Sequence, residues 1–563
     1  MTPTPRQTSA QPHRKRLRTR TTELAGSALG TLLRLPRSTT SYTVNRVSVP
    51  MRDGVDLVAD HYAPITDKPV GTLLARGPYG RGFPFALVFA RLYANRGYHV
   101  VLQSVRGTFG SGGELDPMVN EAADGADTVA WLREQPWFTG SFATVGLSYL
   151  GFTQWALLTD PPPELVAAVI AVGPHDFHSS TWETGTFTVN DFLGWSHMVA
   201  NQEDRIRVRT GIRQLTSPRK VARAVGTVPM GGAIRKMLGA GAPWFESWLE
   251  HPHADDVFWE RMRLHAALDR VQVPVLLIGG WQDIFLRQTL QQYRHLRGRG
   301  VDVALTVGPW THTQMLAKGL STVSRESLDW LDTHFGSAPY LKRPSAVRIF
   351  VTGQGWRYLP DWPPATDELP LYLQPGGRLG ETAPDQRATE PAPEPAKFRY
   401  HPADPTPMVG GPLLGPAGGY RDDGKLALRE DVLAFTGDPL ASDLYVYGNP
   451  VIELEHSSDN PHVDVFVRVS EVDSNGVSRN VSDGYQRLDP NRNVSETLRL
   501  ELDPVAHRFK AGSRIRFLIA GSWFPRYARN LGAGEATLTG EQVKPATHAV
   551  HFGRSRLLLP AAR

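Results

Sequence analysis

The 563-residue chain reads as a largely parallel α/β domain, interrupted by a helix-rich insertion and followed by an all-β sandwich. Three observations predict this. Between about residues 41 and 175, apolar strand-like runs alternate with helical patterns, the signature of a parallel sheet with crossover helices. About residues 176–268 are helix-rich and precede two further strand-like runs. Beyond about Pro344 the chain turns to Pro- and Gly-rich sequence with short alternating strands, as in a sandwich or barrel.

Ser41–Met51 alternates with period two and meets Asp53-Gly54, a tight-turn pair, before Val55–Tyr62, so the sheet opens with an antiparallel hairpin. Thr72–Ala75, Tyr98–Gln103, Ala143–Leu147 and Leu165–Val172 are apolar runs of the kind a parallel sheet buries on both faces. Helical patterns lie near Phe85–Asn95, near Glu121–Glu134 and from Tyr149 onward. Val273–Gly279 and Val301–Val307 are further strands, and Ser324–Phe335 is a final helix. In the C-terminal part Ala346–Thr352, Leu369–Leu373, Val451–Leu454, His462–Val469 and Arg514–Ala520 are strand-like. Val463, Val465, Val467 and Val469 share one face, and Asn475-Gly476 follows as a turn. Gly376–Tyr420, rich in Pro and Gly, reads as a long loop. The expected divisions are a tail over 1–40, a core over 41–175, a cap over 176–268, the rest of the core over 269–340, and a sandwich over 341–563.

A hydrophobic share of 41% and a charged share of 21% are those of an ordinary soluble protein, and the length calls for more than one core. With no cysteine, disulfide scaffolds, thiolate metal sites and cysteine nucleophiles are excluded. The net charge of +5 comes from residues 1–37, where eight basic side chains face one acidic, so the remainder is weakly acidic. That pattern reads as a solvated, disordered tail rather than a nucleic-acid surface on the folded body. Leu24–Leu33 could form a short amphipathic helix, but Glu23, Arg34 and the lack of a small-x-small cleavage site argue against a signal peptide. No segment approaches the roughly 20 apolar residues of a membrane span. A cytoplasmic protein is expected, with no nucleic-acid or membrane partner and with a homo-oligomer left open.

Chemistry concentrates at Ala143–Gly151, where Ser148 stands between Gly146 and Gly151 at the end of a strand and the start of a helix. A strand that turns sharply into a helix holds the apex residue in a strained conformation and lifts its hydroxyl into a cleft. The spacing is a variant, G-x-S-Y-x-G, with Leu150 where the second glycine is usual. Two partners follow in the order such a triad needs: Asp283 after the strand Val273–Gly279, and His312 after the strand Val301–Val307. The carboxyl ends of parallel strands line a common crevice, so the three side chains can converge. Each has an ordinary reading alone. Asp283 could cap the helix beginning near Phe285, and His312 is one of 18 histidines. Gly107–Gly113 after Arg106 lacks a phosphate-loop lysine and a dinucleotide fingerprint, so it reads as a structural loop.

The segments Arg76-Gly-Pro-Tyr79, Val105–Gly113, Gly146–Trp155, Gly280-Trp-Gln-Asp283, Gly308-Pro-Trp-Thr-His312 and Ser522-Trp-Phe-Pro-Arg526 resemble the CocE/NonD hydrolase family. That family includes cocaine esterase, the X-prolyl dipeptidyl-peptidases and the α-amino-acid ester hydrolases. The likeness runs from about Val44 to the C-terminus, and Ser148–Trp155 with Leu193-Gly-Trp195 is similar to the cocaine-esterase branch. It implies an α/β-hydrolase domain with a helical cap and a C-terminal jelly-roll-like sandwich. It also implies an oxyanion hole built from the Tyr79 hydroxyl and the Tyr149 amide, an acyl contact at Trp195, and no cofactor or metal. Trp182 and Phe285 are further candidates for the substrate wall, though a cap tryptophan is more often core.

The reading is a serine hydrolase that cleaves small carboxylic esters through an acyl-Ser148 intermediate. An X-prolyl dipeptidyl-peptidase or amide hydrolase with the same triad is the alternative, acting on short peptides. Apart from Glu183 and Asp176 there is no obvious acidic group to hold a substrate ammonium, which weighs against it. A non-catalytic binding protein with a degenerate hydrolase body is the third.

Overall fold

The computed structural model describes residues 30–203, 207–336, 343–384 and 393–562. The N-terminal hairpin forms from β1 (Tyr42–Pro50) and β2 (Asp56–Pro64), with Gly54 at φ +84° in the turn between them. β3 (Gly71–Gly77), β4 (Tyr98–Ser104), β5 (Phe142–Leu147), β6 (Leu165–Ala171), β7 (Val275–Gln282) and β8 (Val303–Thr311) follow. Every residue of β3, β4, β5 and β7 is buried. That is why these strands read as continuous apolar runs rather than alternating ones. β9 (Val347–Val351) and β10 (Gly355–Leu359) complete a ten-stranded sheet in the order β1-β2-β4-β3-β5-β6-β7-β8-β9-β10. The strands from β4 to β9 pair in parallel, with an antiparallel hairpin at each end.

That topology moves one expected boundary. Ala346–Thr352 was assigned to the sandwich, yet Val347 pairs with Leu305 and Ile349 with Val307, so β9 extends the hydrolase sheet. Its alternating burial fits a half-covered strand of either sheet, and only the long-range pairing distinguishes them. The tail also needs correction. Residues 1–29 lie outside the described residues, but Leu33 and Leu35 are buried against the body, and the Leu33 carbonyl accepts a hydrogen bond from Ser321 Oγ at 2.8 Å.

Helices α1 (Glu121–Arg133) and α2 (Tyr149–Leu157) belong to the first part of the domain. Between β6 and β7 the cap contributes α3 (Phe177–Trp182), α4 (Val189–Asn201), α5 (Arg207–Gly226), α6 (Met230–Leu238), α7 (Trp244–Glu250) and α8 (His265–Arg270). α9 (Leu286–Gly298) and α10 (Leu320–His334) follow β7 and β8. Among the described residues no helix is long and apolar enough to cross a membrane.

The C-terminal domain is an antiparallel β-structure whose strands Asp464–Val472, Ser478–Arg487 and Arg514–Ala520 lie side by side. Val463, Val465, Val467 and Val469 enter its main core, as their alternation predicts. The opposite face of the same strand is buried too. Arg468 is fully buried, paired with Asp483 at 2.6 Å and lying 4.4 Å from the Trp523 ring. Gly376–Tyr420 is not purely a loop, since it carries strands Arg378–Gly380 and Ala396–Tyr400. Ser522–Asn530 runs along the cap: the Ala528 amide donates to Phe187 O at 2.9 Å and so ties the sandwich to the cap.

Several histidines are buried without a carboxylate bond. His61 stacks on Trp137 at 3.7 Å and contacts His99 at 3.0 Å, while His456 contacts His548 at 3.0 Å. Burial is the main cause that lowers His61, His175 and His548 to about 4 and His456 to about 3. The unfolded chain therefore binds more protons than the folded one once the pH drops below the ordinary histidine value of about 6.5. Stability is fully present above that value and is lost progressively toward pH 4, by up to about 1.4 kcal/mol per pH unit for each proton taken up only on unfolding. Thermal unfolding followed by circular dichroism should show a Tm that is level near pH 7–8 and falls steadily from about pH 6.5. A Tm unchanged down to pH 4.5 would contradict this assignment.

Candidate active site

Ser148 occupies the turn between β5 and α2 with φ +57° and ψ −122°, a conformation that side chains rarely adopt. The glycines explain how the turn closes. A Cβ on Gly146 would lie 2.4 Å from Leu150 Cβ, and one on Gly151 would lie 2.6 Å from Gly173 Cα, the backbone that leaves β6. Leu150 takes the place of the usual second glycine because its side chain fills the space left by Gly77, where an added Cβ would come within 2.3 Å. The elbow is thereby packed against the loop that carries Tyr79. Thr153 Oγ1 adds a hydrogen bond to Arg76 O at 3.2 Å.

Asp283 and His312 come together through strand register. Gln282 at the end of β7 pairs with Thr311 at the end of β8, so the next residue on each strand stands beside the other. Gly280 and Gly308 permit the approach, since a Cβ on either would strike Trp310 at 2.3–2.4 Å. Asp283 Oδ1 meets His312 Nδ1 at 2.6 Å. Its other oxygen, Oδ2, accepts the Phe285 amide at 3.0 Å, but the N-cap of α9 is Phe285 and no side chain caps that helix, so Asp283 is not its N-cap. Phe285 places its ring edge-on to the imidazole at 5.3 Å.

Tyr79 Oη accepts the Trp195 indole N–H at 3.0 Å and lines the same cavity as Ser148. Burial raises its pKa, against the opposing pull of Trp195 and Ser148. Tyr149 is the first residue of α2, where the backbone N–H has no intrahelical acceptor. Its hydroxyl donates to Glu121 Oε1 at 2.8 Å and accepts the Met118 amide at 2.8 Å. Glu121 in turn forms a buried ion pair with Arg76 at 3.2 Å, anchoring the strand before Tyr79.

Ser148, His312, Tyr79 and Tyr149 line one narrow cavity of about 20 Å³, closed by Phe177, Phe192, Trp195, Ile284, Phe285 and Leu414. Among the described residues its lining contains no carboxylate. Trp195 and Phe285 therefore occupy the expected wall positions. Trp182 does not: it lies outside this lining, donates its indole N–H to Trp248 O at 2.8 Å, and packs with Phe187 in the cap interior. Helical periodicity marks it as inward-facing without telling which interior it faces.

Asp176 and Glu183 also lie outside the cavity. Burial opposes ionisation of Asp176, but hydrogen bonds from His265 and Ser179 outweigh it and hold the carboxyl at about 2. Glu183 opens instead onto a polar cavity of about 310 Å³, shared with Arg287, Asp503 and Arg526, which Asp283 also lines and which shares Ile284 with the apolar pocket. Loss of water around Glu183 raises its pKa, against the pull of Arg287. Arg106 and its glycine loop are structural: Arg106 binds Asp124 at 2.6 Å and Asp53 at 2.7 Å, and Gly107 passes against the Leu115 backbone.

Beside Phe177, Phe192 and Ile284, the wall residues that the sequence reading missed include Leu414. It sits on a C-terminal loop closed by mutual Gly411–Gly419 backbone hydrogen bonds of 2.9–3.0 Å and held by Arg468 Nη1 on Val409 O at 2.7 Å. Its amide donates to Asp191 Oδ1 of the cap at 3.0 Å. The Gly410-Gly411 and Gly418-Gly419 pairs bracketing Pro412-Leu-Leu414 were the available signal for a tight, close-approaching loop.

Comparison with known proteins agrees with this architecture. Residues 53–314 match the X-Pro dipeptidyl-peptidase (S15 family) model, and residues 340–557 match the X-Pro dipeptidyl-peptidase C-terminal non-catalytic domain. The chain is 30% identical to cocaine esterase of Rhodococcus sp. (strain MB1 Bresler), over 92% of this chain and 99% of that protein. It is 24% identical to a putative serine esterase of Mycobacterium tuberculosis (strain CDC 1551 / Oshkosh), over 84% and 89% of the two chains. Among solved structures, an aminopeptidase from a marine sediment Thaumarchaeota archaeon superposes with a TM-score of 0.78 at 23% identity, over 94% of this chain and 98% of that one. An α-amino acid ester hydrolase gives 0.77 at 23% identity, with the same coverage. With the α/β domain, the cap and the C-terminal β domain all matched, the chain belongs to the CocE/NonD family of serine hydrolases, the group that also contains the X-Pro dipeptidyl-peptidases.

Proposed function

We propose that this protein hydrolyses carboxylic esters of small molecules, with Ser148 as nucleophile, His312 as general base and acid, and Asp283 as the residue that orients and stabilises the imidazole. The observation that carries this reading is the 2.6 Å Asp283–His312 contact beside the strained Ser148 in one apolar cavity. With Nδ1 committed to Asp283, His312 has Nε2 for the serine proton. Attack of Ser148 Oγ on the acyl carbonyl places negative charge on the carbonyl oxygen, and donors fixed in a water-poor site stabilise it. Here those donors are the Tyr79 hydroxyl and the Tyr149 amide. His312 protonates the leaving alcohol, then takes a proton from water as that water attacks the acyl-enzyme and frees the acid.

The pocket favours a small acyl group because its resting volume of about 20 Å³ is enclosed by large side chains. Its lack of a carboxylate favours neutral acyl esters over substrates with a free ammonium, and so an esterase over a dipeptidyl-peptidase.

The wild type should hydrolyse p-nitrophenyl esters of short acids far faster than Gly-Pro-p-nitroanilide, and the opposite ranking would overturn the ester assignment. Ser148→Ala is expected to lose about 10⁴-fold or more in kcat and all labelling by a fluorophosphonate probe, whereas Asp283→Asn should lose about 10⁴-fold with its fold intact. Wild-type protein that fails to react with the probe would mean that the site is not a nucleophilic one. Leu414→Ala, by removing one wall, should shift kcat/KM toward bulkier acyl groups by about 10-fold or more. An unchanged acyl-length profile in that variant would remove Leu414 from the acyl site.

A further inference from the structure

We propose that Trp195 is a positioning residue for the oxyanion hole: its indole N–H, given to the Tyr79 hydroxyl oxygen, fixes the direction in which Tyr79 presents its only proton. The inference rests on the assignment of Tyr79 as an oxyanion donor and adds a role to Trp195 beyond that of a wall. An indole nitrogen donates and cannot accept, so at 3.0 Å the Tyr79 oxygen must be the acceptor. A phenol carries a single hydrogen. With one side of the oxygen taken by Trp195, that hydrogen is left to point away from the indole, into the cavity that Tyr79 shares with Ser148 and where the carbonyl oxygen gathers charge.

The accepted bond also acts on the donated one. Burial pushes the Tyr79 pKa up and the bond accepted from Trp195 pulls it back down, and an O–H whose oxygen accepts a bond is a stronger donor. Trp195 thus both aims and strengthens the proton that Tyr79 offers.

The indole is held too firmly to swing away. Trp195 is 8% exposed, and its ring lies parallel to that of Tyr149 at 6.1 Å and 10°. Trp248 packs at 6.1 Å and Trp244 at 6.4 Å, and Trp244 is itself fixed by its bond to Ser196 Oγ at 3.1 Å. One side chain therefore touches both residues of the oxyanion hole. A wall alone would need only the ring, and a phenyl group would supply it; the N–H in this apolar pocket has a use because Tyr79 accepts it.

A double-mutant cycle tests the coupling. Trp195→Phe, Tyr79→Phe and the double variant would be assayed with a p-nitrophenyl ester of a short acid, with active sites counted by fluorophosphonate titration. Tyr79→Phe alone should lower kcat by about 10²–10³-fold; an undiminished kcat there would overturn the oxyanion role of Tyr79 itself. Given that loss, Trp195→Phe should lower kcat by about tenfold with KM changed little in the wild-type background, and should cost nothing further in the Tyr79→Phe background. Equal losses in both backgrounds, or a loss confined to KM, would reduce Trp195 to a wall and sink the proposal. Replacing Trp195 by its benzothienylalanine isostere, sulfur for N–H, keeps the packing, and it should reproduce the kcat loss seen with phenylalanine. Full activity of that isostere would equally refute the role of the N–H.

Discussion

Everything at this site hangs on a turn that the backbone resists. Ser148 sits at positive φ, and holding a non-glycine residue there costs on the order of 1–3 kcal/mol, which neighbouring contacts must offset. They do so by close approach. Gly146 accepts the Leu150 side chain against its bare Cα, Gly151 rests on Gly173, and the Ser148 amide donates to Ala171 O at 2.9 Å. Ser148 is thus clamped between the strand before it and the one beside it. Because Leu150 also packs on Gly77, the clamp extends to the loop that presents Tyr79, and Ser148 and Tyr79 are set by one packing unit.

Three parts of the chain then close the pocket, each through a specific polar contact. The sheet supplies Ser148, Asp283 and His312. α4 of the cap brings Trp195 to Tyr79 and, one turn earlier, Asp191 to the Leu414 amide. The C-terminal domain supplies Leu414 on a loop whose root is gripped by the buried Arg468–Asp483 pair and by Asn480, which reaches Gly419 O at 3.2 Å. Breaking a buried ion pair leaves an uncompensated charge and typically costs about 3–5 kcal/mol. The β domain is therefore part of the site and not merely an appendage. Asp191, whose pKa is raised by burial despite nearby Arg526, lies at the junction of cap and loop.

Legibility in the sequence tracked the range of the interaction responsible. The elbow, the hairpin around Gly54, the buried parallel strands and the strand-end positions of Asp283 and His312 all follow from local pattern, because glycine placement and apolar runs record constraints within a few residues. The N-terminal segment near Leu33 and strand β9 were misplaced because each is held by a partner about 40 to 290 residues away: Val347 pairs with Leu305, and Leu33 O accepts from Ser321. Trp182 and Trp195 show the same limit inside a single insertion. Both are inward-facing aromatics on short cap helices, yet one braces Trp248 and the other reaches the site.

By itself the sequence determined the chemistry on offer, which residue would be strained at an elbow, and the order in which acid and histidine would follow. Those features are written in short spacings whose physics is local sterics. Only the tertiary structure decided which side chains form the walls, that a β-domain loop completes the pocket, and that an indole N–H points at the Tyr79 oxygen. Such contacts depend on the distance between segments far apart in the chain, and that distance is set by how whole layers pack together.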